Sequence, residues 1–261
     1  MNRGADTIRA CRSGSQVSIG SDAVHAVAAI HEREARGEPG LSGKTGIETI
    51  SSAYGNQAVV ISVDPKRVYV SPSATREELG PHFDSLVIGA HARGNVTAEE
   101  RGQAWWYQCT INGGRAVVDM DVVQLAKGVE RLGAGELLLN SVDRDGSGRG
   151  FDLDLVQMVR DAVSIPVVAS SGAGKVEDFV EVFDQTGVEA ALAAGIFHRE
   201  EVPIQVRPRA HPPFAAPELS SRHASLTSHS FPLVQAVKAH LREKNIPARR
   251  AKDVAGDEAR P

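Results

Sequence analysis

Short apolar runs alternate with helix-forming segments, and this alternation constrains the chain more than any other feature. The runs are Gln16–Ile19, Ala58–Asp64, Glu136–Val142, Ser164–Ser170 and Val188–Ala194. Between them lie Asp22–Arg36, Ile47–Tyr54, Asp119–Leu132, Leu153–Val163 and Lys175–Thr186, each with apolar residues at helical spacing. Strands that alternate with helices predict an α/β fold with a parallel sheet and right-handed crossovers. The run Ala58–Val63 is β-branched and has no polar alternation, as expected of a strand buried on both faces.

The strand ends carry the candidate chemistry. Asp64 closes its run and Pro65 then removes a backbone donor from the ladder. A carboxylate at the C-terminal end of a buried parallel strand is where α/β barrels and open α/β sheets place reactive groups. The plainer alternative is that Asp64 caps a turn or pairs with Lys66 or Arg67. The runs ending at Ser170 and Ala194 are followed by small residues, Ser171-Gly172-Ala173-Gly174 and Gly195. Two such adjacent loops suit a phosphate site made of backbone N–H groups, or else are simply tight turns. Gly20 and Ser21 precede a helix, with Ser21 the expected N-cap, and Asp152 is the expected N-cap of Leu153–Val163.

Other stretches are read more simply. Residues 71–103 are polar and aperiodic, which predicts a lid or a poorly ordered insertion. Trp105–Ile111 reads as a strand and Asn112-Gly113-Gly114 as a tight turn. The tryptophan pair serves either ligand stacking or core packing. The loop Asp143–Gly150 opens like a calcium loop but lacks the later carboxylates, so that reading is rejected. The net charge of −4 argues against nucleic acid as the main partner. No apolar run approaches a membrane span, the first residues have no apolar signal core, and the two cysteines match no metal or redox spacing. A cytoplasmic protein is the expectation.

Six segments together resemble a known family: CRSGSQVSIGSDAV, ETISSAYGNQAVVISVDPKRVYV, WYQCTINGGR, LGAGELLLNSVDRDGSGRGFDLDL, IPVVASSGAGKVEDFVEVF and ALAAGIFH. They are similar to the cyclase part of imidazole glycerol phosphate synthase, a histidine-biosynthesis enzyme, especially in its fungal form fused to a glutaminase. The resemblance implies a (β/α)8 TIM barrel. It implies a lyase-type cyclase that joins ammonia to a bis-phosphorylated ribulosyl aminoimidazole carboxamide ribotide, giving imidazole glycerol phosphate and aminoimidazole carboxamide ribotide. It implies a glutaminase domain or subunit as the ammonia-supplying partner, with no cofactor, metal, nucleic acid or membrane. By the same resemblance Asp64 is a catalytic acid/base. Gly20 and Ser21 fall on one phosphate site, Gly172, Ala194 and Gly195 on the other, and Asp145 with Gly146 on a substrate-contacting loop. Glu136 falls on the ammonia entrance. Two readings stand beside the cyclase: a non-catalytic fragment that keeps the phosphate loops, and a related phosphosugar isomerase.

The resemblance also implies departures. The five runs correspond to strands four to eight, so strands one to three, a second catalytic aspartate and the glutaminase domain are expected to be missing. A family lysine before strand four has no counterpart in Gly14-Ser15-Gln16. The expected plan is a partial barrel over residues 1–205, a Pro/Ser-rich disordered insertion over 206–232, a terminal barrel helix within 233–250 and a charged tail over 251–261. An open partial barrel is expected to be marginal or self-associating unless something completes it.

Overall fold

The computed structural model describes residues 16–198. In chain order the first elements are β1 (Val17–Ile19), α1 (Ser21–Ala35), α2 (Gly46–Tyr54), β2 (Val59–Val63), β3 (Pro65–Val70), α3 (Arg76–Leu79), β4 (Val87–Ile88), α4 (Ala98–Arg101) and β5 (Ala104–Ile111). They are followed by β6 (Ala116–Asp121), α5 (Val122–Leu132), β7 (Glu136–Asn140), α6 (Leu153–Ala162), β8 (Val167–Ser170), α7 (Val176–Thr186), β9 (Ala190–Leu192) and α8 (Gly195–His198). The expectations placed on residues 1–15 and on 206–261 lie outside the described residues. No helix among the described residues is long and apolar enough to cross a membrane.

The βα alternation yields one parallel sheet in the order β1-β2-β7-β8-β9. Its five strands are the five runs read from the sequence, shortened at their ends. One face is apolar and shut: Val59, Ile61, Val63, Leu137, Leu139, Val167 and Ala169 are buried in a single core with the helices. Helices α1, α5, α6 and α7 pack side by side along that face. Each fully buried Ile or Leu contributes roughly 1.5–3 kcal/mol. At the α1–α5 crossing a Cβ on Gly128 would lie 2.5 Å from Val27 Cγ1, so glycine sets how closely these helices approach. The other face carries Val60 and Ser170, which are buried, and Ser62, Leu138, Asn140 and Val168, which are half-buried, so burial on both faces holds only in part for β2 and β8 and not for β7. Among the described residues β1 pairs only with β2, and β9 only with β8.

A second sheet interrupts the alternation between β2 and α5. Strand β5 pairs antiparallel with β3, β4 and β6. Pro65 ends the parallel ladder as expected, and it also begins β3 opposite Cys109. Residues 71–103 are not an unstructured insertion: they hold α3, β4, α4 and two 3-10 turns. Helices α3 and α4 are closed by the capping boxes Thr75/Glu78 and Thr97/Glu100. The helix expected from Asp119 begins instead at Val122, because Asp119–Asp121 finish β6. Asp121 becomes the N-cap, its side chain accepting from Gln124 N at 2.8 Å. His82 lies flat on Trp106, with centroids 4.0 Å apart, and its two ring nitrogens reach Asp119 and Asp121. Trp105 and Trp106 are buried, so the pair serves packing and not ligand stacking.

Of two N-cap expectations one is corrected and the other holds in position. Ser21 is the first helical residue, with Gly20 in the cap position and no side-chain cap bond. Asp152 holds the cap position of α6, but its side chain makes no cap bond because it is engaged elsewhere. The best-built cap is at α2. Glu48 accepts from the backbone N–H groups of Ser42, Gly43, Lys44 and Thr45 and from the hydroxyls of Ser42 and Thr45. Burial opposes its charge, but these donors outweigh burial and hold its carboxyl down at about 2. A carboxyl depressed on folding stabilises the native state above its unfolded pKa, and loses that contribution as pH falls through the folded value. Glu48→Gln is therefore expected to lower stability at pH 7 by about 1–2 kcal/mol. It should also flatten the stability profile between pH 4.5 and 2, read by urea unfolding at each pH.

Candidate active site

Alternation along β2 sends Ser62 and Asp64 to the face away from the helices, and Asn140 of β7 shares that face. The Asn140 amide donates to Asp64 Oδ1 at 2.8 Å and to Ser62 Oγ at 3.2 Å. The Asp64 carbonyl accepts from Thr110 Oγ1, which ties the strand end to β5. The carboxylate is thus fixed by one oxygen, and its other oxygen bonds to no described residue. Asp64 pairs with neither Lys66 nor Arg67, which corrects that alternative.

Asp64 opens into a cavity of about 280 Å³, shared with Asn140, Asp145, Ser170, Ser171 and Gly113. Two carboxylates, a carboxamide and serine hydroxyls in one cavity are suited to moving protons on and off nitrogen and oxygen. The only two non-glycine residues with positive φ among the described residues border this cavity or adjoin it: Ser171 at φ 75° and Asn112, next to Gly113, at φ 56°. Left-handed backbone in residues with a Cβ gathers at functional sites.

Other expected residues lie around this centre. Gly172 follows Ser171 at φ 99°, and a Cβ there would meet Gly150 O at 2.2 Å, so the two loops touch backbone to backbone. Gly20 and Ser21 line a separate open cleft of about 760 Å³, with His25, Thr45 and Thr49. The β5–β6 turn spans the two: Asn112 N donates to Ser21 Oγ at 2.9 Å, while Gly113 lines the Asp64 cavity. Because Ser21 Oγ accepts there, its own proton remains free to donate. Glu136 stands at the other end of β7 from Asn140, on the same face. Ala194 and Gly195 lie beyond β9, and Gly146 at an exposed turn; none of these three lines either space. Among the described residues no cluster of three or more His, Cys, Asp or Glu is placed to hold a metal. Sequence reasoning missed Asn140, and it read Ser170 and Ser171 only as a strand end and part of a backbone phosphate loop. A polar residue ending ELLLN was the available signal for the first.

The Asp145 loop is held by buried charge. Arg67 on β3 lies under the second sheet, its side chain 1% exposed. Its Nη2 donates to Asp152 Oδ2 at 2.7 Å and its Nη1 to Glu100 Oε1 at 2.9 Å. Its guanidinium lies 4.2 Å from the Trp105 ring centroid. Asp152 also accepts from the Tyr107 hydroxyl at 2.7 Å, and Glu100 from Arg149 Nη2 at 2.9 Å. Arg67 N donates to Asp143 Oδ2 at 2.8 Å and Val142 N to Pro65 O at 3.1 Å. The loop is therefore fastened along its length. Burial acts to lower the Arg67 pKa, but Asp152 and its other partners carry it above the ordinary value. Burial also opposes the charge of Glu100, yet Thr97 and Arg149 hold its carboxyl at about 2. Burial pushes Tyr107 up, with Asp152 adding to the shift, so the phenol stays a donor.

Comparison with known proteins places this architecture. The family described as "Histidine biosynthesis protein" matches residues 21–203, and the chain belongs to that family. Over 197 residues it is 51% identical to "Imidazole glycerol phosphate synthase hisHF" of Schizosaccharomyces pombe, covering 74% of this chain and 33% of that protein. It is 49% identical over 195 residues to the chloroplastic hisHF of Arabidopsis thaliana, covering 74% of this chain and 30% of that one. It is 38% identical over 201 residues to "Imidazole glycerol phosphate synthase subunit HisF" of Haloarcula marismortui, covering 77% and 60%. The chain thus spans about a third of the two hisHF proteins, at 33% and 30%.

Removing one partner of a buried ion pair leaves an uncompensated charge, which typically costs about 3–5 kcal/mol. Arg67→Met is expected to lose that much in urea unfolding. Arg67→Met combined with Asp152→Asn should recover part of it, because the carboxamide that replaces the carboxylate carries no buried charge and still accepts from Tyr107.

Proposed function

We propose that this chain carries a cyclase site of histidine biosynthesis. It would take ammonia and a bis-phosphorylated ribulosyl aminoimidazole carboxamide ribotide to imidazole glycerol phosphate and aminoimidazole carboxamide ribotide. The observation that carries the proposal is Asp64: a carboxylate at the C-terminal end of a parallel strand, fixed through one oxygen by Asn140, in a cavity it shares with Asp145. Asp64 is the general acid/base, using its unbonded oxygen to move protons during ring closure and cleavage. Gly20 and Ser21 at the start of α1 form the site for one phosphate. Gly172, with Ala194 and Gly195 beyond β9, forms the site for the other. Asp145 and Gly146 contact the substrate between them.

The proposal extends to the fold and the partner. The parallel sheet corresponds to strands four to eight of a (β/α)8 barrel, with residues 1–205 as the barrel part. Helix-covered on one face and half-open on the other, it has the layering of a barrel wall. Ammonia comes from a glutaminase domain or subunit and enters past Glu136, which lies at the opposite end of the sheet from Asp64. Relatives named as hisHF fusions and as a separate HisF subunit support a partner of either kind. The buried free thiol of Cys109 suits a reducing compartment such as the cytoplasm.

A second reading draws on the strands β1 and β9, each paired on one side only among the described residues. In that reading the chain binds the phosphorylated ligand without turning it over. One assay separates the two. The purified chain is given the ribulosyl substrate and ammonium at alkaline pH, and product is followed. The cyclase reading expects turnover that falls about 10²–10⁴-fold in Asp64→Asn. Substrate binding without turnover would establish the binding reading, and turnover untouched by Asp64→Asn would remove Asp64 from the mechanism.

A further inference from the structure

The segment between β4 and α4 makes contacts that the site described so far does not account for. Asn95 belongs to none of the described helices or strands, and it is exposed. Its carboxamide nevertheless reaches a residue 54 positions away, Nδ2 donating to the Arg149 carbonyl at 2.9 Å. Arg149 returns the contact: its Nη2 donates to the Asn95 carbonyl at 3.3 Å and to Glu100 Oε2 at 2.9 Å. Asn95 lies outside every family-like segment of the sequence.

Arg149 sits between two points where the loop after β7 touches the turn after β8. At one, Gly150 N donates to Gly172 O at 2.8 Å. At the other, a Cβ on Gly174 would collide with Gly148 O, so only glycine lets the two backbones meet. Earlier in the same loop Asp145 lines the Asp64 cavity, and Ser170 and Ser171 line it ahead of the turn. Between these contacts the loop bonds to itself: Asp145 N donates to Ser141 O and Ser147 N to Arg144 O, both at 3.0 Å. Its height over the cavity is therefore set by its ends, one held at Asp143 by Arg67 N and the other at Arg149 by Asn95.

We propose that Asn95 is a positioning residue: it presses residues 148–150 onto the turn after β8, and so sets the spacing between the loop that carries Asp145 and that turn. This inference rests on the cyclase reading above, in which the two loops hold one substrate between them. A substrate held at two fixed points binds only to molecules whose loops are correctly spaced. Its apparent affinity falls with the fraction of molecules so arranged. Asn95 thus acts on substrate binding without touching the substrate.

The test compares the full chain with Asn95→Ala and Asn95→Leu, the second of similar shape but without a donor. Each protein is assayed with the ribulosyl substrate and ammonium, and each is ¹⁵N-labelled and observed without ligand. KM should rise about 5-fold in both variants, the loss of one hydrogen bond, with kcat nearly unchanged. A role confined to stability would lower the folded fraction, and kcat with it, and leave KM alone. In the ligand-free spectra both variants should displace the amides of Gly148, Gly150, Gly172 and Gly174, while those of β2 and β7 stay in place. An unchanged KM, or amide changes confined to residues 93–97 and 149, overturns the inference and leaves the cyclase reading standing. If the wild-type chain turns nothing over, the cyclase reading falls and this inference falls with it.

Discussion

A guanidinium removed from water must be surrounded by charge and hydrogen-bond acceptors, and the arrangement around Arg67 meets that demand by joining parts far apart in sequence. Its partners are Asp152, at the start of α6, and Glu100, the residue of α4 that bonds back to its cap Thr97. Its side chain lies on Trp105, and its own backbone N–H holds Asp143. One residue of β3 thus fixes the second sheet, the segment that packs on it and the loop leaving β7. Removing either charge alone leaves the other stranded at low dielectric, which makes the network cooperative.

That loop is one wall of the cavity. Fastening Asp143 and Asp152 leaves the exposed turn with Asp145 between two anchored ends. Gly150 donates to Gly172 O at 2.8 Å, which carries the constraint on to the turn after β8. On the other side the β5–β6 turn bonds Ser21 and borders Asp64. The parallel sheet supplies the positions of Asp64, Asn140 and Ser170. The antiparallel insertion supplies the rigidity that keeps the loops over them. A site of this kind depends on supporting contacts as much as on the groups that line it.

The parallel sheet is legible in the sequence because its signal is local. The β-branched runs, the helical spacing between them and the glycines at helix ends each state their element within a few residues, and Asp64 stands at the end of the plainest run. The antiparallel insertion is not legible, because β3, β4 and β6 are short strands defined by pairing with β5. The partner of β3 lies about 40 residues on, and pairing at that distance leaves no periodic mark in either segment. Asp119–Leu132 reads as one helix from the apolar face of Val122, Val123, Leu125, Ala126 and Val129, whereas the β6 strand claims Asp119–Asp121. The boxes Thr75/Glu78 and Thr97/Glu100 are present in the sequence and announce two helices within residues 71–103. The role of Asp152 is unreadable, since an acid at a helix start looks the same whether it caps the helix or neutralises an arginine 85 residues away.

The claim that buried charge on β3 holds the loop bordering the Asp64 cavity is tested most directly by native-state hydrogen exchange. The amides of Arg67, Val142 and Gly150 donate across the junctions in question, to Asp143, Pro65 and Gly172. The expected result is that all three exchange only as slowly as the core amides of β2 and β7, through the same global opening. If they exchange orders of magnitude faster while β2 and β7 stay protected, the loop opens on its own and the claim is wrong.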